Sequence, residues 1–289
     1  MPTSIPQSKL LRFFFKLFSK KHKTKGLSKK RQQFSLGKRH KFAIGIGILS
    51  IGLFAAEYAL NAYGILIAFF LAVLSDVVLF WAVQQDLEDN FSSQIFILPF
   101  LYSLSFGLFA FLTPARLITK IILTTLYAVG LYSVFLSENI FTVASIRTIA
   151  LLNSARIVSL VISLITYFFL ASTTFSFRIG VIPTMVILFA FTFLLSMHAV
   201  WTYTLEQELK KDLIWVSILT TCIFELALVL WFWPTTPTVG ALFLTSVWYV
   251  LVGLSHVWLD KRLFRSVLWE YIWVAVIAFL VLVAFTTWQ

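Results

Sequence analysis

The chain has 289 residues, of which 60% are hydrophobic and only 12% charged. A soluble globular domain carries about 25% charged residues, so this composition excludes a single large core clothed in water-facing side chains. The net charge of +11 is gathered at one end: 13 of the 23 Lys and Arg residues fall between Lys9 and Lys41, and no acidic residue precedes Glu57. The single cysteine, Cys222, excludes an intramolecular disulfide and any cysteine-based metal framework.

Residues 1–41 read as a basic cytoplasmic tail. The basic region is too long for a secretory signal, and no small-residue cleavage pattern follows the first apolar block, so the tail is expected to be retained. Within it, residues 8–21 place Lys9, Arg12, Lys16 and Lys20, with Lys21 beside the last, at helical spacing. Phe13, Phe14, Leu17 and Phe18 fill other positions of the same turns. That pattern predicts an amphipathic helix lying in the membrane interface, its cations on anionic lipid headgroups. A basic run of this kind also suits nucleic acid. Its attachment to a membrane span favours lipid, and no nucleic-acid partner is expected. Lys23 to Lys41 holds too few apolar residues to fold alone.

From residue 42 onward the apolar residues come in long blocks. These predict nine spans, at about 42–60, 64–83, 95–113, 117–136, 148–171, 179–203, 213–233, 239–259 and 266–287. Blocks of this length match a hydrocarbon core of about 30 Å at about 1.5 Å per helical residue. Backbone polar groups in lipid are satisfied within the segment only by a helix. The fold class is therefore all-α: a polytopic transmembrane helical bundle over residues 42–289, preceded by the tail. The span at 117–136 is the weakest, because Lys120 stands near its start. Trp201, Trp215, Trp231, Trp233, Trp258 and Trp269 fall near span ends, where aromatic belts form.

The lysine and arginine bias sets a cytoplasmic N-terminus in a plasma (inner) membrane. Strict alternation then puts the loops at 84–94, 137–147, 204–212 and 260–265 on the same side. Arg147, Lys210, Lys211, Lys261, Arg262 and Arg265 agree with this, whereas Arg116, Lys120 and Arg178 lie on the other side. The two halves show no matching residues or loop lengths, which weakens an inverted-repeat transporter.

Ionisable residues inside spans are functional candidates. Those here are Glu57, Asp76, Arg156, His198, Glu225, His256 and Glu270. All but Glu57 lie at or below the midplane on the expected cytoplasmic side. Asp76, Arg156, His198, Glu225, His256 and Glu270 thus form a candidate intramembrane polar cluster. Asp76 and Arg156 are opposite in sign at similar depth, and a buried pair would satisfy both. The two histidines have the titration range for proton coupling. Glu225 has no basic residue in its own span, so it is expected either to be neutral or to be paired from another helix, by Arg156 or His198.

The acidic run at Asp86, Glu88 and Asp89 suggests Mg²⁺ held against a diphosphate, but the spacing lacks the longer aspartate interval, the glycine and the arginine that such loops carry. A solvated loop is the expected reading, and no metal, cofactor or catalytic residue is assigned. Phosphate loops, HExxH pairs and GxSxG elbows are absent, as is a GxxxG pair in the spans.

Three functional classes remain. A non-catalytic envelope or assembly component leads, and it predicts tolerance of substitution at Asp76 and Glu225. A secondary transporter predicts ion-dependent flux through the cytoplasm-facing cluster. A membrane enzyme on a lipid-linked substrate predicts loss of turnover at Asp86 or Asp89. Protein partners are not legible.

Overall fold

A computed structural model describes residues 38–59, 64–87, 92–113, 116–144, 150–205, 209–261 and 264–286. Among these there is no strand, and nine helices are long and apolar enough to cross a membrane. In chain order they are α1 (Lys38–Ala59), α2 (Gly64–Leu87), α3 (Ile97–Leu112), α4 (Leu117–Ala144), α5 (Leu152–Phe177), α6 (Val181–Thr204), α7 (Leu209–Phe232), α8 (Pro237–Leu259) and α9 (Arg265–Ala284). A short 3₁₀ turn, Ser93–Phe96, leads into α3. The protein is a membrane-embedded all-α bundle. The expected tail helix at 8–21, with Lys9, Arg12, Lys16, Lys20 and Lys21, lies outside the described residues. So do Glu88, Asp89 and Arg147, and the side chains of Glu57 and Asp86.

Seven spans fall within about a turn of where the hydropathy places them, and the fifth runs on to Phe177, six residues past its expected end. The fourth departs further. Its helix runs on past residue 136 to Ala144, taking Ser137, Glu138 and Asn139 into the helix instead of a loop. A polar triplet normally marks a span end. Here Ser137 and Glu138 are buried against other helices, and burial with a partner outweighs the local polarity.

Short connections between packed helices make successive spans antiparallel. The end of the bundle at which α1 begins is called proximal; α2, α4, α6 and α8 finish there, and α3, α5, α7 and α9 start there. α5 is central, touching α3, α4, α6 and α8. α9 packs on α8 and lies along the outside, with Leu282 as its one buried residue among those described.

Helices in lipid gain little from the hydrophobic effect when they associate, so packing and interhelical hydrogen bonds must hold them. Both are present. Tyr102 of α3 donates to the Leu126 carbonyl of α4 at 3.0 Å, and the Ser103 and Tyr127 hydroxyls bond at 3.1 Å. Tyr167 and Thr192 join α5 to α6 at 3.1 Å, and Trp248 Nε1 donates to Ser196 Oγ at 3.1 Å, joining α8 to α6. A Cβ added at Gly107 would lie 2.7 Å from the Cβ of Ala68 and 3.0 Å from its Cα, so the absence of a side chain lets α3 approach the backbone of α2. This small-residue contact is between helices, which is why no GxxxG spacing within one span announced it.

Candidate functional site

The most deeply buried acidic and basic groups among the described residues are Glu138 on α4 and His198 on α6, both without solvent exposure. Each lies six residues before the proximal end of its helix, about 9 Å along the axis. The two helices therefore carry them at one depth. His198 Nε2 and Glu138 Oε1 are hydrogen-bonded at 2.8 Å. Phe141, one turn after Glu138, packs edge-on against Trp201, whose ring lies 6.1 Å from that of His198. The pair thus sits among aromatic rings in hydrocarbon-like surroundings, where each group alone would be costly. Trp201 is buried beside this pair and is no part of an interfacial belt.

One oxygen and one nitrogen of the pair remain unsatisfied. Glu138 Oε2 and His198 Nδ1 are buried with no hydrogen-bond partner among the described residues. Asp76 on α2 is close enough to Glu138 for the two carboxyl groups to interact electrostatically, and its Oδ1 is likewise buried and unpartnered. Two acids and one base therefore run across α2, α4 and α6.

The predicted pairing of Asp76 with Arg156 is not made. Arg156, in the first turn and a half of α5, reaches the proximal end of α6 instead. Its Nε donates to the Thr202 carbonyl and its NH2 to the Tyr203 carbonyl, both at 3.0 Å. The last four carbonyls of a helix have no partner within it, and that end carries a partial negative charge. A guanidinium fits both needs, which explains an arginine at this depth with no acidic partner among the described residues. It also lies over the Tyr203 ring, 4.4 Å from its centre. His256 of α8 completes the arrangement: its Nε2 donates to the Ala199 carbonyl at 3.0 Å, and its ring stacks on Tyr203 at 3.7 Å. Leu205, left-handed at φ 48°, closes the Trp201 carbonyl through its N–H at 2.8 Å. Two neighbouring helices, α5 and α8, and the chain's own turn thus satisfy the end of α6.

Glu225 lies elsewhere. α7 packs on α6 and α8 through Val216, Leu219, Ile223, Ala227 and Leu230. Glu225 is exposed on the opposite face, about 160° around the helix at about 100° per residue. It stands about 10 Å or more from either end of its span at about 1.5 Å per residue. Neither Arg156 nor His198 meets it. Glu270 is exposed near the proximal start of α9. The six candidates therefore do not converge: His198 and Asp76 gather around Glu138, Arg156 and His256 around the end of α6, and Glu225 and Glu270 face outward.

Glu138 is the residue that sequence reasoning missed. Its local sequence, Ser137-Glu138-Asn139, reads as a loop. The one available signal was the length of the following stretch, Ile140 to Ala144, which is apolar enough to continue a helix.

A cavity of about 540 Å³ opens at the distal end. Phe175, Arg178, Trp231, Trp233, Pro234 and Gly240 are among the residues that line it, and it shares none with the proximal groups. Among the described residues no three His, Cys, Asp or Glu side chains come together as metal ligands.

A family model described as a protein of unknown function, DUF5656, matches residues 44–285. The chain belongs to that family. The DUF5656 region starts inside α1, beyond the basic tail, and takes in every residue of the proximal groups together with Glu225. No curated protein and no solved structure matches the chain.

Proposed function

We propose that this chain is a non-catalytic component of a membrane assembly that works through lateral contacts in the plasma (inner) membrane, with its N-terminus on the cytoplasmic side. The observation that carries this reading is the outward position of Glu225. A carboxyl group in the hydrocarbon region nearly always faces a protein interior or a water-filled path, because lipid offers it no hydrogen bond. Glu225 faces neither among the described residues of one chain, so a second protein surface is the environment that satisfies it. This reverses the expectation that an assembly component tolerates change at Glu225: under this reading Glu225 is where the assembly is touched. The basic tail supports the same setting, with anionic lipid as its proposed partner.

The test is the size of the particle. Extracted into nanodiscs of native lipid, the full chain is expected to be part of a complex larger than one copy, by native mass spectrometry or single-molecule photobleaching. Glu225→Leu is expected to shift it toward single chains. A wild-type protein that is a single chain under these conditions would remove the proposal.

A second reading, a proton-coupled transporter, is favoured by one observation. Asp76, Glu138 and His198 bring two acids and one base together with three unsatisfied atoms. Full ionisation would leave one uncompensated negative charge in a dry interior, which a transferable proton would neutralise. Reconstituted vesicles carrying a pH-sensitive dye test it. Proton flux present in the wild type and lost in Glu138→Gln would support transport, and equal leak in both would dismiss it.

A further inference from the structure

Resting on the assembly reading, the geometry points to a second copy of this chain as the occupant of the Glu225 face: we propose a two-fold dimer built on α7, with the two Glu225 side chains meeting at the axis. Ile214, Ile218, Thr221, Glu225, Leu228 and Phe232 recur at alternating intervals of three and four residues, and all six are exposed. That interval is the seam of a left-handed helix pair, the commonest packing of membrane helices. Other spans also expose apolar faces, as lipid contact requires. The face of α7 differs in carrying an ionisable group in mid-span at a seam position. A single polar residue there fixes partner number and register in paired helices.

Two arguments favour a like partner over a foreign one. Two copies inserted in the same sense and related by an axis along the membrane normal present α7 in parallel, so Glu225 meets Glu225 at one depth. A neutral carboxylic acid has one donor and remaining acceptor capacity, so two of them satisfy each other with no cation. Thr221, one turn earlier on the same seam, has its hydroxyl proton committed to the Ser217 carbonyl at 2.8 Å. Its oxygen keeps acceptor capacity toward the other copy. A foreign basic helix would satisfy Glu225 too, but nothing else on this face is acidic or shaped for a cation.

The chain's single cysteine makes the test clean. In the full-length protein with Cys222→Ser, one cysteine at a time is placed from Leu213 to Phe232, and membranes are oxidised with copper phenanthroline. Disulfide-linked dimer is expected at 214, 218, 221, 225, 228 and 232, and little at 213 or 229 on the flanks. The dimer dissociation constant is expected to rise about tenfold for Glu225→Leu, the scale of an interhelical polar contact in lipid, and to change little for Glu225→Gln, which keeps a donor and an acceptor. Flank positions that crosslink as well as seam positions would overturn the proposal, as would a Glu225→Leu dimer as tight as the wild type. A crosslinked product of another mass would replace the second copy with a foreign protein and leave the assembly reading standing. No product at any position, from a wild-type protein that is itself a single chain, would remove both.

Discussion

Glu138 and His198 are joined by one hydrogen bond of 2.8 Å, and neither touches solvent. Removing one partner strands the other in a dry interior, whereas removing both leaves only a packing change. Glu138→Ala or His198→Ala is therefore expected to lower stability by about 3–5 kcal/mol. The double substitution Glu138→Met with His198→Leu is expected to recover most of that loss. Thermal unfolding in a fixed detergent would check this; a double variant as unstable as the worse single one would show that the pair is not the cause. Arg156 makes a second residue-scale case. Arg156→Gln removes a cation from the end of α6 and is expected to cost about 1–2 kcal/mol, the range for a partly buried charge on a helix terminus. Arg156→Lys should cost less, since one ammonium can still reach a carbonyl. At this scale the sequence was informative about which groups are unusual and poor at pairing them. Arg156 and Asp76 were opposite in sign and similar in depth, yet the carbonyls of Thr202 and Tyr203 claimed the arginine. Backbone acceptors at a helix end carry no letter in the sequence, and Glu138 lies 60 residues from its partner.

The helices themselves were legible wherever apolar length decided the outcome. Boundaries failed where a polar group was bought into the bundle by a distant contact, as at the end of α4. Contacts between helices left a fainter trace. Gly107 sits against the backbone of Ala68, and Gly107→Leu is expected to part α3 from α2 at a cost of about 1–3 kcal/mol or more. Loss of yield and a lower unfolding temperature would report it; an unchanged unfolding temperature would deny the contact any weight. α9 offers a more local test. Its Tyr271 ring lies against Gly253 of α8, where an added Cβ would clash with it. Gly253→Val is expected to loosen α9 alone. Faster hydrogen exchange should then be confined to residues 265–284 while the bonds around Glu138 stay protected.

For the whole molecule, composition and block length were enough to establish a membrane-embedded bundle of nine helices among the described residues. They also marked the acidic and basic residues that lie within it, Glu138 excepted. They did not say which way each of those residues faces. Facing is a rotation about the helix axis, and a span apolar on every side gives no preferred direction from its own letters. α7 illustrates this: Glu225 read as an interior residue, neutral or paired from another helix, and the packing of Val216, Ile223 and Ala227 turned it outward. The question of activity moved with it, from a cleft inside the chain to the outward face of α7.

The 60-residue separation of Glu138 from His198 bears on how the chain is made. At about 5–20 residues per second of synthesis, α4 emerges some 3–12 s before α6. During that interval the nascent chain carries a carboxyl group that lipid rejects and that its imidazole has not yet arrived to receive. α4 is thus a span that gains from waiting beside the insertion machinery, or in its water-filled vestibule, until α6 follows. A ribosome-stalled chain ending after α5 should leave α4 crosslinked to the translocon, and one that includes α6 should release it.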